Sequence, residues 1–153
     1  MKKWRNTIAF IALIIFIILQ FIPYDKQMNR PVKGQDLFET ATIPEDIGQL
    51  IKSACYDCHS QFVRFPWYAN IAPVSWLVAK DIREGRESLD FSVWNTLPKR
   101  EQLKLLDEIA EEVIEGTMPI DIYKVMHLEA RLTDEQRDSI VSWADSFAED
   151  LLE

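Results

Sequence analysis

Both cysteines of the chain, Cys55 and Cys58, lie in the stretch "CYDCH", and His59 follows the second of them directly. The only other histidine is His127. Thiols and an imidazole at this spacing can perform thiol–disulfide exchange, bind zinc, or attach haem covalently. Each chemistry requires different surroundings, so the rest of the chain discriminates between the three.

Thiol–disulfide exchange and zinc binding fit the surrounding sequence less well than haem attachment. A redox-active C-x-x-C pair normally begins a helix in a βαβ unit, whereas this pair follows a predicted helix and no predicted strand accompanies it. A disulfide between Cys55 and Cys58 would close a very short loop and would stabilise the fold little. A structural zinc ion needs four ligands, and a cysteine and the histidine directly after it seldom reach the same ion.

The C-x-x-C-H pattern is typical of covalent haem attachment. In this chemistry the two thiols add to the haem vinyl groups as thioethers, and the histidine reaches the iron on one face. The pattern therefore predicts one haem c per chain, bound covalently by Cys55 and Cys58, with His59 as the proximal iron ligand.

The iron of an electron-transfer haem takes a second side-chain ligand, often methionine or histidine. Met118, in "EGTMPI", is favoured because it follows a predicted helix end and precedes Pro119, which restricts it to extended conformations. His127, in "YKVMHLEARL", is the alternative, and an open or water-bound iron is a third. Met28 lies in a polar stretch, and Met126 would point away from its neighbour His127 on a helix, so neither is favoured.

Helical patterns surround these residues. Apolar positions recur every three or four residues in "IPEDIGQLIKSAC", "VSWLVAKDIREG", "LPKREQLKLLDEIAEEVIEG" and "LTDEQRDSIVSWADSFAEDLL". Gly116 suits a helix C-terminus, and Thr133 with Gln136 has the spacing of a capping box. No stretch alternates convincingly with period two, so the sequence predicts an all-α domain over residues 42–153.

The N-terminus predicts a membrane anchor. Lys2, Lys3 and Arg5 precede an apolar stretch that ends near Ile22, and residues 4–24 match the ~20 residues that a membrane-spanning helix needs. No small-residue cleavage site follows, so an uncleaved signal anchor over residues 1–24 is favoured over a removed signal peptide, with residues 25–41 as a tether. Cationic flanks stay cytoplasmic, which predicts a single-pass protein of the bacterial cytoplasmic (inner) membrane with its domain facing the periplasm.

The charge of the chain excludes some partners. All 25 acidic residues follow Ile22, together with all but three of the 17 basic ones, which gives this part a net charge of about −11. Such a charge argues against nucleic acid and anionic lipid as partners, whereas it permits a positively charged protein partner.

Five stretches of the chain share a pattern with a known family: "CYDCHS", "WYANIAPVSWLVAKDIREGR", "LDFSVWN", "GTMPIDIYKVMHLEARL" and "LTDEQRDSIVSW". The first and fourth match C-x-x-C-H-S and M-P-x-x-x-Y-x-x-x-H, although Ile120 stands where a second proline is usual. The chain resembles, over about residues 40–150, the haem-binding domain family of bacterial membrane-anchored c-type cytochromes. The resemblance implies a cytochrome c-like fold, one covalent haem c, a membrane tether and electron transfer. Both Met118 and His127 belong to the pattern, so it does not choose between them.

Several cationic and aromatic side chains could contact a haem edge and its propionates, because guanidinium groups pair with carboxylates and indole or phenol groups can donate to them. In the stretch after the cysteines these candidates are Arg64, Trp67, Tyr68, Trp76, Arg83 and Arg86.

The resulting hypothesis is a membrane-anchored monohaem c-type cytochrome that passes single electrons between redox protein partners, membrane-bound or periplasmic, and is not an enzyme. One alternative is a haem-based small-molecule sensor or peroxidase-like protein with an open distal site, where His127 or Arg64 would act on the bound molecule. Another is a helical interaction module without haem whose two cysteines form a local disulfide.

Overall fold

The computed structural model describes residues 2–153, with side chains from Lys3 onward; Met1, the first residue of the predicted anchor, lies outside the described residues. The α-helices of this part are α1 (Lys2–Leu19), α2 (Leu37–Thr40), α3 (Glu45–Ala54), α4 (Tyr56–His59), α5 (Val74–Ser88), α6 (Lys99–Glu115), α7 (Asp121–Met126) and α8 (Asp134–Leu152). Short 3₁₀ segments cover Trp67–Asn70, Phe91–Thr96 and Leu128–Ala130. No strand occurs in the described residues, which confirms the all-α prediction.

The predicted membrane-spanning helix is wrong. Helix α1 has 18 residues and already contains the basic head, so its uninterrupted apolar part is limited to residues 8–19. At about 1.5 Å per residue this part is about 18 Å long, well short of the ~30 Å hydrocarbon core of a bilayer. No helix within residues 2–153 is long and apolar enough to cross a membrane. The predicted single-pass location in the cytoplasmic membrane, with the domain facing the periplasm, is wrong for the same reason.

Helix α1 ends three residues earlier than the apolar stretch does. Ile22 precedes Pro23, and the residue before a proline disfavours the helical conformation. The side chain of Gln20 also bonds the backbone of Ala72 twice, donating to its carbonyl oxygen at 3.2 Å and accepting from its N–H at 3.0 Å. The chain therefore leaves the helix at a point where it contacts the helical body.

The segment interpreted as a tether, residues 25–41, contacts the body along much of its length. The amide of Asn29 exchanges two hydrogen bonds with the backbone of Val63, at 2.9 and 3.2 Å. Further on, Leu37 is fully buried at 0% exposure in the core. The carboxylate of Asp36 accepts hydrogen bonds from Tyr56 Oη at 2.7 Å and Ser92 Oγ at 3.0 Å. The last part of this segment is thus built into the core.

The core lies where α6 and α8 pack along each other and α3 packs on α8. Its buried apolar side chains come from α2, α3, α6, α8 and the segments between them, and include Leu37, Ile51, Tyr56, Phe91, Trp94, Leu105, Leu106 and Trp143. The capping box of Thr133 and Gln136 is present at the start of α8. Helix α6 ends at Gly116, whose φ of 77° is a left-handed conformation that glycine adopts without steric cost.

Candidate functional site

The C-x-x-C-H motif directly follows α3 and forms a single helical turn. Cys55 follows Ala54, the last residue of α3, and the other four residues of the motif are α4, so the motif lies at the predicted helix end. The N–H of His59 donates to the carbonyl oxygen of Cys55 at 2.9 Å, which closes one helical turn. We call residues 55–59 the attachment turn.

The two thiols of the attachment turn are free and neutral. Neither Cys55 nor Cys58 forms a disulfide. Burial, reinforced by the other cysteine, raises the pKa of Cys55 to about 12. Burial, with Asp81 as the next cause, raises the pKa of Cys58 to about 12 as well. Both sulfurs therefore stay protonated at neutral pH, and the structure contains no local disulfide of the kind that the interaction-module alternative requires.

The ring of His59 is oriented by two backbone carbonyls. Its Nδ1 lies 2.9 Å from the oxygen of Gly85 and 3.1 Å from that of Leu89. Carbonyl oxygens only accept hydrogen bonds, so Nδ1 carries the proton and the lone pair resides on Nε2. Burial lowers the pKa of His59 and keeps the imidazole neutral. A neutral imidazole whose second nitrogen donates to a carbonyl is the arrangement found in metal-binding histidines.

Helix α5 approaches the attachment turn closely at Gly85. A Cβ at this position would lie 2.8 Å from the carbonyl oxygen of Cys58, closer than such atoms pack. Helix α5 does not end at this glycine and continues to Ser88. The glycine instead allows the backbone contact from which Gly85 and Leu89 reach His59.

Two cavities meet at His59 and Met118. The larger, of about 330 Å³, is also lined by Cys55 and by apolar side chains such as Phe91 and Trp143. The smaller, of about 210 Å³, is also lined by Cys58. We call them the motif cavities. Met118 and His59 thus line both motif cavities, and each cavity is also lined by one of the two cysteines.

The backbone of Met118 is held on both sides. Its N–H donates to the carbonyl oxygen of Glu112 at 3.1 Å, and its own carbonyl oxygen accepts from Arg137 Nη1 at 3.1 Å. The same Nη1 donates to the carbonyl oxygen of Val113 at 2.7 Å. Arg137 on α8 therefore ties the end of α6 to the segment that carries Met118.

His127 faces a different cavity, of about 340 Å³, which also contains Tyr68 and Cys58 but neither His59 nor Met118. Both of its ring nitrogens have partners: Nε2 lies 2.8 Å from Tyr68 Oη, and Nδ1 lies 3.4 Å from a carboxylate oxygen of Glu129. The structure does not bring His127 to the cavities that His59 lines. We call this third space the His127 cavity.

The predicted haem-edge residues do not gather around the motif cavities. Arg64, Trp67 and Tyr68 line the His127 cavity. The Arg64 side chain is 65% exposed and lies 3.5 Å from the carboxylate of Asp57. Trp76 lines none of these three cavities, and its indole Nε1 is buried without a hydrogen-bond partner within residues 2–153.

The remaining two predicted haem-edge residues are both on α5 and bind protein groups. Arg83 lies within 4.0 Å of the exposed carboxylate of Glu87. Arg86 Nε donates to the carbonyl oxygen of Ser60 at 2.9 Å, next to the attachment turn.

Sequence reasoning missed two functional candidates, Asp57 and Tyr123. Asp57 lies between the two cysteines, is buried, and accepts from the N–H of Arg64 at 3.0 Å. Tyr123 Oη donates to its other oxygen at 2.9 Å. Burial, with the Asp57 charge as the next cause, raises the pKa of Tyr123 well above its usual value. The tyrosine of the M-P-x-x-x-Y-x-x-x-H pattern was the available signal.

The donor set fits haem and not zinc. Among residues 2–153, no three His, Cys, Asp or Glu side chains cluster closely enough to hold a metal ion. The motif cavities instead offer two thiols, an imidazole with a free Nε2 and a thioether, between apolar walls. These are the groups that attach a c-type haem and ligate its iron.

Comparison with known proteins agrees with a haem site. No curated protein and no solved structure is significantly similar to the chain. A family model described as a haem-binding domain matches residues 14–146, which include the attachment turn, Met118 and His127. The match confirms the resemblance at the level of haem binding. Since it spans most of the sequence, the chain belongs to the haem-binding domain family.

Proposed function

We propose that this haem-binding domain is a monohaem c-type cytochrome that transfers single electrons. Cys55 and Cys58 would hold the haem through thioether bonds. His59 would bind the iron through Nε2 and Met118 through its sulfur. Redox proteins would be its electron donor and acceptor, and it would catalyse no reaction of its own.

The observation that carries the proposal is the common lining of the motif cavities. His59 and Met118 line both of them, Cys55 lines one and Cys58 lines the other. Two covalent attachment points and two iron ligands must all reach one haem, and these four residues are the only cysteines of the chain and its two favoured ligand candidates.

Haem bound in this way would supply one-electron Fe(III)/Fe(II) chemistry. The chain supplies orientation and cover. The carbonyl oxygens of Gly85 and Leu89 fix the ring of His59 and increase the basicity of Nε2, which is how partners of a ligating histidine tune a metal. Apolar walls that include Phe91 and Trp143 limit the access of water.

A haem sensor or peroxidase-like protein would need a free polar side chain beside an open iron position. His127 and Arg64, the two candidates for that role, are bound to Tyr68 and Asp57 and line the His127 cavity. The contacts therefore favour electron transfer over small-molecule chemistry.

The attachment is tested by producing the protein together with a c-type haem maturation system. We expect pyridine haemochrome spectra to show two saturated vinyl positions, and the haem to stay with the polypeptide in denaturant. Cys55→Ser and Cys58→Ser should each leave one vinyl group unsaturated. Haem that is extracted by acid and organic solvent from the unaltered protein would contradict covalent attachment while leaving haem binding intact.

The second ligand is tested by the optical spectrum of the ferric protein. Met118→Ala should abolish the weak methionine-to-iron charge-transfer band and convert the low-spin spectrum to a mixed or high-spin one. Met28→Ala is the matched control, because Met28 is exposed and lines neither motif cavity. A low-spin spectrum that is unchanged in Met118→Ala would contradict the assignment.

A further inference from the structure

Tyr123 connects the segment that follows Met118 to the attachment turn. Its hydroxyl donates to Asp57 Oδ2 at 2.9 Å, and Asp57 is 6% exposed in the middle of the C-x-x-C-H motif. The other carboxylate oxygen accepts from the N–H of Arg64 at 3.0 Å. A hydrogen bond to a buried carboxylate is stronger than one between neutral groups, so this contact fixes the start of α7 firmly.

His127 supports Tyr123 from the face of its ring. The two rings are stacked with centroids 4.0 Å apart and planes only 9° from parallel. On its far side, His127 Nε2 lies 2.8 Å from Tyr68 Oη, and Tyr68 belongs to the 3₁₀ segment Trp67–Asn70. The tyrosine is therefore held through its hydroxyl by one part of the body and through its ring by another.

Tyr123 follows Met118 by five residues, so fixing Tyr123 restricts the positions that Met118 can take. An extended chain advances at most about 3.5 Å per residue, and α7 shortens this reach further because it begins at Asp121. On the other side, the backbone of Met118 is bound by Glu112 and Arg137. The thioether sulfur is thus presented from a segment that is anchored before and after it.

We propose that Tyr123 and His127 form a clamp that positions Met118 for the haem iron, which makes His127 a positioning residue and not an iron ligand. The inference rests on the proposed function, in which Met118 is the second ligand of the iron. A thioether brings no charge to the iron, so its occupancy of that position depends on how firmly the chain presents it. When the clamp opens, the position becomes accessible to an external ligand.

The clamp is tested by titrating the ferric, haem-loaded protein with imidazole, which competes with Met118 for the iron. An external ligand binds in proportion to the open fraction, so its apparent Kd reports how often Met118 is displaced. Tyr123→Phe keeps the ring stack and removes the bond to Asp57; we expect imidazole to bind about tenfold more tightly. Tyr68→Phe and His127→Phe each remove the hydrogen bond between Tyr68 Oη and His127 Nε2. Each should therefore also lower the apparent Kd for imidazole.

Two controls separate positioning from general loosening. Gln102→Met removes a side-chain hydrogen bond away from the clamp, from Gln102 Nε2 to the carbonyl oxygen of Trp94 at 2.9 Å, and should leave imidazole affinity unchanged. In the Met118→Ala background, Tyr123→Phe should have no effect, because the ligand that the clamp presents is gone. An effect that persists there, or an equal effect of Gln102→Met, would overturn the clamp.

The outcomes also separate the clamp from the proposed function. If Met118→Ala raises imidazole affinity and Tyr123→Phe does not, the clamp is overturned and the ligand assignment stands. A different result would show that His127 is the iron ligand: Met118→Ala changes neither the spectrum nor the imidazole affinity, and His127→Phe removes the low-spin spectrum while Tyr68→Phe leaves it unchanged. In that case both the assignment of Met118 as ligand and the clamp are wrong.

Discussion

The Nδ1 of His59 lies 2.9 Å from the carbonyl oxygen of Gly85, on the helix that packs against the attachment turn. One residue thus serves two purposes. Its carbonyl oxygen orients the imidazole, and its missing side chain lets α5 come close enough for that bond, since a Cβ would lie 2.8 Å from Cys58 O. The orientation of the predicted proximal ligand therefore depends on a position that contributes no side chain.

Gly85→Ala should destabilise the protein. In most helices this exchange stabilises by about 0.5–1 kcal/mol, because alanine loses less backbone entropy. Here the new methyl group meets backbone, which cannot rotate away, so we expect a loss of about 1–3 kcal/mol in the free energy of unfolding, measured by chemical denaturation.

Gly48→Ala on α3 is the matched control. Its Cβ would meet the ring of Phe38 at 2.9 Å, and a partly exposed ring can shift where a backbone cannot. We expect a change within about 1 kcal/mol. A stabilising effect of Gly85→Ala would show that α5 does not pack on the attachment turn as closely as the structure has it.

The thiols should react slowly in the folded, haem-free chain. Burial raises the pKa of Cys55 and Cys58 to about 12, whereas an unfolded thiol has an ordinary value near 9.0. At pH 8 the thiolate fraction is then roughly a thousandfold lower in the folded state, and alkylation proceeds through the thiolate. We expect the rate to rise tenfold per pH unit up to pH 11 in the folded chain, and to level off above about pH 9 in denaturant.

The haem-loaded protein should show no reactive thiol even in denaturant. A thioether survives a reducing agent and a disulfide does not, so reduction distinguishes the two explanations of such a result. Two thiols that appear only after reduction would support the local disulfide and contradict covalent attachment.

Much of the helical body could be predicted because its signals are local. The capping box of Thr133 and Gln136 and the glycine after α6 act within a few residues, and the structure has both. The end of α1 could not be predicted from hydropathy alone, because it coincides with the contact between Gln20 and Ala72, 52 residues later.

Of the candidate site, only the attachment turn has a signal that is local in the sequence. Residues 55–59 form a local pattern, whereas the choice between Met118 and His127 depends on which cavity each one lines, and that is set by packing. The bond between Asp57 and Tyr123 joins residues 66 positions apart, and neither residue type indicates a partner by itself.

The tether interpretation of residues 25–41 can be tested at helix α2, through the contribution of this segment to the stability of the fold. Leu37 is fully buried, whereas Val32, five residues earlier, is 53% exposed. Leu37→Ala should cost about 2–5 kcal/mol in unfolding free energy, since it leaves a cavity in the core. Val32→Ala should change it by less than about 0.5 kcal/mol. If both variants unfold at the same denaturant concentration as the original, the whole segment behaves as a tether.

Arg137 should control the ligation of the iron from a distance. Its Nη1 donates to the carbonyl oxygens of Val113 and Met118, and Arg137→Met removes both bonds while keeping an unbranched apolar chain. Because Met118 then loses its fixation from α8, we expect a weaker methionine-to-iron charge-transfer band and a loss of about 1–3 kcal/mol in stability.

Gln102→Met is the control for Arg137→Met. It removes a buried hydrogen bond from Gln102 Nε2 to the carbonyl oxygen of Trp94, at 2.9 Å, without contact to Met118. The control should lower stability by a similar amount and leave the charge-transfer band intact. An unchanged band in Arg137→Met, at reduced stability, would mean that Arg137 only secures the end of α6. A band weakened in that variant alone would show that α8 holds the distal ligand in place through a single guanidinium nitrogen.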